Sequence, residues 1–314
     1  MNNTIAFVTY QDHPGITSDD ALAKKALAQY NIDVVGIPWD QKGVDWAAFD
    51  AVVLRSCWDY FHRPSQFLSW IETLHSQGVH LLNEYDALRW NAEKTYLNDL
   101  MVGGAAVVPT VYAAKNRSIS IADVLREQRW QRAAIKPTVS ATSLHTWVSS
   151  PATLDYDQRR LEELLRERNM MLQKYLPEIE TEGELSLIYF EGKYSHAVRK
   201  VPRPGDFRVQ SNFGGTSTAA RPGKDILRQG DEILRASGHD SVYARIDGVM
   251  HEGAFLLMEL EMIEPHLFLE SDPAAPGRFA LAIRKRLRHR VAMSLESGSD
   301  VSSTATPSCR PAKY

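Results

Sequence analysis

Cysteine is nearly absent from this chain: Cys57 and Cys309 are its only two in 314 residues. So few exclude a disulfide framework and a cysteine-ligated zinc site, and a reducing cytoplasm is the expected compartment. Positive charge in excess is also missing, since 36 Lys and Arg face 39 Asp and Glu, for a formal net charge of −3. A nucleic-acid partner therefore gets no electrostatic support, and any phosphate site must be built locally. No apolar run approaches the roughly 20 residues that a membrane span requires. The opening MNNTIAFVTY also lacks a basic region followed by a long apolar stretch, so neither export nor membrane anchoring is expected. No G-x-G-x-x-G follows the first predicted strand, which disfavours a dinucleotide site.

What is present is the composition of an ordinary folded protein, 44% hydrophobic and 24% charged, on a chain long enough for two or three packed parts. From the start, β-branched runs alternate with helical patterns: strands at Thr4–Tyr10, Asp33–Ile37, Ala51–Arg55 and Val79–Asn83, helices near Ser18–Tyr30 and Pro64–Ser76. That alternation predicts an α/β layer on a parallel sheet. A helix over Asp86–Met101 leads away from it. Beyond Pro109 a small α+β lobe is expected, with strands at Ala133–Lys136 and Met170–Tyr175 and an amphipathic helix over Tyr156–Arg168. Two hairpins follow, Glu184–Phe190 with Tyr194–Val201 and Ser241–Val249 with Ala254–Ile263, separated by a helix over Asp225–Ser237. A basic helix over Arg278–Leu295 precedes a Ser/Thr/Pro-rich tail.

The most informative stretch is Phe255–Ile263, FLLMELEMI. In a regular strand Phe255, Leu257, Glu259, Glu261 and Ile263 share one face and the intervening residues the other, both apolar in character. Two carboxylates on such a face repel each other and cost several kcal/mol each if buried uncompensated. Cations must be supplied. All-oxygen donors suit a hard ion such as Mg²⁺, and Asp247 on the partner strand offers a third carboxylate. Arg245 lies two residues earlier on the same face, placed either to neutralise a transferring phosphoryl group or to pair with a glutamate. The alternative is a solvated edge strand whose carboxylates face water.

Lys136 leaves its strand immediately before Pro137, which fixes where its ammonium emerges and suits phosphate. Asn212-Phe-Gly-Gly215 offers flexible backbone N–H groups that can close over a triphosphate, preceded by Arg199, Lys200, Arg203 and Arg208, a set able to clamp an anion. Each has a bland reading as solvated surface.

In this order the pieces resemble the ATP-grasp superfamily over about residues 85–268, with bacterial glutathione synthetase as a familiar relative. The resemblance implies an ATP-grasp fold behind an N-terminal Rossmann-like α/β domain: residues 1–93 as substrate domain, 94–175 as the small lobe, 176–295 as the lobe with the metal site and 296–314 as a tail. It implies that Lys94 in WNAEKTYL and Lys136 in AIKP touch ATP phosphates. Gln173, Lys174, Tyr175 and Leu176 then form the adenine hinge, and Glu184 binds ribose. AVRKVPRPGDFRVQSNFGG parallels the family's Arg-rich strand and glycine loop, bringing Arg199, Arg208, Gln210, Gly214 and Gly215 into play. ARIDGV with MELE reproduces the family's metal pattern through Asp247, Glu259 and Glu261, with Arg245 and Arg199 as the catalytic arginines. Glutathione synthetase has Asn where Glu261 stands and an arginine where Ser186 stands, so the metal site is kept while the substrate differs. RSCWDYFHRP and IEPHLFL instead resemble ATP-grasp proteins grouped with the cyclo-ligase of O-ureido-serine. That likeness places the substrate near Arg55, Asp59 and Tyr60, with Arg55 for a carboxylate and Asp59 for an ammonium, unless these are an ordinary strand end.

The implied activity is ATP- and Mg²⁺-dependent activation of a carboxyl or carbonyl oxygen of an amino-acid-like substrate as an acyl phosphate, followed by C–N bond formation. Two Mg²⁺ ions are expected, with Mn²⁺ a substitute, in a protein that can form homo-oligomers. The rival is an ATP-binding regulator of the same fold without turnover.

Overall fold

A computed structural model describes residues 2–141, 143–210 and 213–299, with side chains described as far as residue 289. Asn212 and residues 300–314 lie outside them. The first layer runs β1 (Asn3–Thr9), α1 (Ser18–Ala28), β2 (Ile32–Pro38), β3 (Ala51–Leu54), α2 (Pro64–Ser76) and β4 (Leu81–Leu82), a parallel sheet of order β2-β1-β3-β4. Strand β1 is apolar on both faces because both are covered: Ile5 and Phe7 pack in one core, Ala6 and Val8 in another. Helix α1 starts where Thr17 accepts a hydrogen bond from the Asp20 N–H, and α2 starts at Pro64, whose missing N–H costs nothing in a first turn.

Next come α3 (Tyr85–Asn91), α4 (Tyr96–Val102), β5 (Thr110–Ala113), α5 (Ile121–Glu127), β6 (Ala133–Pro137), β7 (Trp147–Ser149), α6 (Leu154–Leu165) and β8 (Met170–Lys174). The strands form an antiparallel sheet β5-β8-β6-β7, packed on α5 and α6 through Ile121, Leu125, Ile135 and Leu161. The third group is α7 (Glu178–Thr181), β9 (Glu184–Phe190), β10 (Lys193–Val201), β11 (Thr216–Ala220), α8 (Lys224–Ser237), β12 (Tyr243–His251), β13 (Ala254–Glu261) and α9 (Ala275–Ser299). Its antiparallel sheet has the order β11-β10-β9-β12-β13. Helix α9 continues to Ser299, past the expected end at Leu295. It also joins layers: Phe279 sits 6.4 Å from Phe7, 5.2 Å from Phe190 and 5.8 Å from Tyr243, ring centre to ring centre.

Two expectations are corrected, and each correction shapes the site. The single helix over Asp86–Met101 is broken between Asn91 and Tyr96. There the Lys94 N–H donates to the Thr138 carbonyl at 2.9 Å instead of continuing a helix. The Asn91 side chain donates to the Leu260 carbonyl and accepts from the Met262 N–H, and the Tyr96 hydroxyl accepts from the Leu260 N–H. Tertiary bonds to β13 thus replace helical ones, and Lys94 is turned inward.

The alternation read along Phe255–Ile263 also fails. Asp247 pairs with Glu259 but Gly248 pairs with Leu257, so Met258 is an extra residue in a β-bulge. The bulge shifts the phase: Phe255, Leu257, Leu260 and Met262 enter one core, while Glu259 and Glu261 point to the other side. Gly248 is required beside it, because a Cβ there would stand 2.4 Å from the Phe255 ring and 2.6 Å from the Leu256 carbonyl oxygen.

Candidate active site

Between the second and third sheets, and open to the end of the first, lies a cavity of about 560 Å³. One wall is the carboxylate face of β12 and β13. Arg245 pairs in register with Glu261 and Asp247 with Glu259, while Ser186 on β9 faces Asp247 and donates its hydroxyl to it. The Arg245 guanidinium lies 2.8 Å from Asp247 and is bonded to Glu261. Lys94 reaches Glu259 at 3.0 Å and donates to the Ser140 carbonyl at 2.7 Å. Lys200 is bonded to Glu184 and stands 3.3 Å from Asp247. Lys136 enters from the opposite sheet and has no ion pair among the described residues. Four cations, Lys94, Lys136, Lys200 and Arg245, thus confront four carboxylates, Glu184, Asp247, Glu259 and Glu261.

Their electrostatics are uneven. Burial works against the Asp247 anion, but Arg245 and Lys200 outweigh it and hold the carboxyl well below its usual range. Glu259 is likewise lowered against burial, by Lys94 and Lys136. Glu261 is different: burial pushes it up to about 7, with Arg245 opposing. Glu264, three residues on, is pushed up to about 8 by burial and by Glu261. Burial lowers Lys136. This corner of the wall is short of positive charge. Three oxygen donors from Asp247, Glu259 and Glu261, one of them poorly ionised without a further cation, fit the requirements of Mg²⁺.

Of the residues singled out from sequence, Lys94, Lys136, Gln173, Tyr175, Glu184, Arg208, Gln210, Gly215, Tyr60, Arg245, Asp247, Glu259 and Glu261 line this one cavity. Gly215 is held so tightly that a Cβ would meet the Val209 carbonyl oxygen at 2.1 Å, while Gly214 turns the chain at φ 83°. Arg208 is bound to Asp206 at 2.7 Å and lies over the Phe213 ring. Its hydrogen bonds hold Asp206 down to about 2.

Six others are placed elsewhere. Arg55 is 2% exposed and donates to Asp20 at 2.8 Å, packed behind the wall against Tyr243 and Phe279. Asp59 accepts from the Trp39 indole and from Arg63, both at 2.7 Å, so its carboxylate is already engaged. Arg199 donates to the Glu182 carbonyl, because alternation along β10 turns Lys200, not Arg199, to the cavity. Lys174 lies by His251, Leu176 packs on Ile179, and Gly214 supports the loop without lining the cavity. Sequence reasoning named Lys200 only within a basic set and passed over Glu264, His266 and Glu270; all four line the cavity. For Lys200 the signal was present: it stands directly across from Glu184 in the hairpin register.

The chain is similar to several known proteins. Residues 5–83 match the family model described as D-cycloserine synthetase DcsG, N-terminal domain. Over 269 residues the chain is 29% identical to the cycloserine biosynthesis protein DcsG of Streptomyces lavendulae, covering 80% of this chain and 87% of that protein. The crystal structure of D-cycloserine synthetase DcsG superposes with a TM-score of 0.82 at 28% identity, over 91% of this chain and 100% of that one. D-alanine–D-alanine ligase from Bacillus anthracis complexed with ATP gives 0.68 at 16% identity, over 93% and 99%. The ATP-grasp ligase PsnB complexed with minimal precursor, Mg and ADP gives 0.60 at 14%, over 90% and 98%.

Proposed function

We propose, from the premise that this chain has the ATP-grasp fold and is similar along most of its length to a D-cycloserine synthetase, that it is an ATP-dependent carbon–nitrogen ligase acting on a small amino-acid-like substrate. The observation that carries the reading is the meeting of Lys94, Lys136, Lys200 and Arg245 with Asp247, Glu259 and Glu261 in one cavity. Arg208 lines the cavity beside these cations, and Glu264 and Glu270 beside the carboxylates, so the lining brings no excess of positive charge to meet a nucleotide. ATP adds about four negative charges, which two divalent ions offset, so we assign two Mg²⁺ ions, with Mn²⁺ able to replace them.

Asp247, Glu259 and Glu261 would hold the metal, which when bound neutralises phosphate oxygens and polarises the transferring phosphoryl group. Lys136, without an ion pair of its own among the described residues, and Lys94 take the phosphates. Gln173, Tyr175 and Glu184 line the cavity, and we assign the first two to the adenine and Glu184 to the ribose. A substrate oxygen attacks the γ-phosphorus in line, the bond from that phosphorus to the β,γ-bridging oxygen breaks and ADP leaves, giving an acyl phosphate from a carboxylate or, with loss of a proton, an O-phosphoryl imidate from an amide-type carbonyl. Arg245, at the junction of Asp247 and Glu261, absorbs charge as it develops. A substrate nitrogen then attacks the activated carbon, expels inorganic phosphate and loses a proton, giving an amide or a ring. The stretch from Arg203 to Gln210, whose Phe207, Arg208, Val209 and Gln210 line the cavity, keeps water from the intermediate. A cytoplasmic protein that forms homo-oligomers is consistent with this reading; no helix among the described residues is long and apolar enough to cross a membrane.

The complete cation and carboxylate set argues against ATP binding without turnover. The test is a screen of amino acids and ureido compounds for substrate-dependent ADP release, with hydroxylamine present to capture the acyl phosphate as a hydroxamate. Release with hydroxamate is expected for at least one compound; ATP binding with neither across the whole panel would favour a regulator.

A further inference from the structure

Outside the carboxylate wall of β12 and β13, three titratable side chains, those of Asp19, His266 and Glu270, cluster together. Asp19, at the start of α1, is 4% exposed. Its Oδ1 accepts the Leu269 N–H at 2.6 Å, but its Oδ2 is buried without a hydrogen-bond partner. The His266 Nε2 stands 3.8 Å from that oxygen, and one ligand atom from each of Asp19, His266 and Glu270 lies within 4.8 Å of the others. His266 and Glu270 line the same cavity as Glu259 and Glu261, and Asp19 stands behind them, outside the lining but with a ligand atom within 4.8 Å of theirs.

Nearby cations are already committed. Arg55 is held by Asp20, and Arg245 by Asp247, Glu261 and the His266 carbonyl. His266 brings no charge at neutrality, because burial lowers it to about 4. Burial raises Glu270 to about 7, with Asp19 adding to the shift by hydrogen bonding to the protonated Glu270 carboxyl and by its charge, as for two carboxyls that share a proton for want of a cation. An ammonium group has three N–H donors and no acceptor, matching two carboxylate oxygens and one imidazole nitrogen. Three points no more than 4.8 Å apart can each lie about 2.8 Å from a single nitrogen, the length of a charge-assisted hydrogen bond. A zinc ion would draw them in to about 2.0–2.2 Å.

We propose that Asp19, His266 and Glu270 form the subsite that receives the primary ammonium of the substrate and so fixes which oxygen faces the nucleotide. The proposal rests on the ligase reading and takes over the role expected of Asp59, whose carboxylate is engaged by Trp39 and Arg63.

The experiment is calorimetric titration of the full chain, with Mg²⁺ and a non-hydrolysable ATP analogue, using serine, alanine and O-ureido-serine, each against its 2-hydroxy counterpart. An amine-bearing member should bind at least about tenfold more tightly than its counterpart, the worth of one charge-assisted contact set. Glu270→Gln, at an exposed position, and Asp19→Asn should each erase most of that preference while the analogue still binds. Because Asp19 also accepts the Leu269 N–H, Glu270→Gln is the variant that decides if Asp19→Asn does not fold. Equal affinity for amine and hydroxyl compounds, a preference that survives Glu270→Gln, no binding by any amine, or tight zinc binding that leaves amine affinity unchanged would each overturn the subsite. Failure of the ATP analogue to bind would count instead against the ligase reading, and the amine titration would still decide the subsite.

Discussion

Glu264 shows how a single residue reports on the site around it. Its carboxyl is buried and stays protonated until about pH 8 in the folded chain, whereas an exposed glutamate ionises near 4.5. The unfolded chain therefore releases this proton first as pH rises, so the contribution of Glu264 to stability is fully present below about 4.5 and is lost between there and about 8. Glu264→Gln removes that slope. Thermal melting at pH 5.5 and 8.5 should show the wild type losing stability relative to the variant as pH rises, by on the order of a few kcal/mol; parallel behaviour would mean that the carboxyl is solvated. Glu259→Gln keeps the shape of a wall residue but removes the charge facing Lys94. We expect substrate-dependent ADP release to fall by about 100-fold or more, with the circular dichroism spectrum unchanged. Undiminished turnover would remove Glu259 from the machinery.

At the scale of elements, the alternation of strand and helix in the first 80 residues, both hairpins and the helix between them were legible, because hydrophobic period and turn residues fix them locally. The break at Ala92–Thr95 and the bulge at Met258 were not, since each is imposed by a partner distant in sequence: Thr138 for the first, the register with β12 for the second. The same limit explains the site. Lys94, Lys136, Asp247, Glu259 and Glu261 stood out by motif, whereas Arg55, Asp59 and Arg199 were misplaced because their partners Asp20, Arg63 and the Glu182 carbonyl cannot be paired with them from sequence. Asn91 tests the element-level account. Its side chain is one of the ties that turn the helix break toward β13, and Asn91→Ala leaves the Leu260 carbonyl and the Met262 N–H without their partner. A loss of about 2–4 kcal/mol in a denaturant titration is expected, together with a raised KM for ATP as Lys94 loosens. Unchanged stability would show that water replaces both bonds.

For the whole molecule, the cavity is made by three layers at once, so occupancy should hold them together. Asn83 bridges the first layer and the third, donating to the Tyr243 and Met262 carbonyls at 2.8 Å and accepting the Val242 N–H at 2.6 Å. ATP with Mg²⁺ should raise the melting temperature as one cooperative transition, by the equivalent of about 2.7 kcal/mol at a hundredfold excess over Kd. Either component alone should do less, because the carboxylate wall and the nucleotide repel each other without the metal. The central claim, that oxygen from the substrate is phosphorylated against this wall, is tested most directly with substrate labelled with ¹⁸O at the reacting carboxyl or carbonyl. Mass spectrometry of the inorganic phosphate released should find the label transferred from substrate to phosphate; turnover that yields only unlabelled phosphate would contradict it.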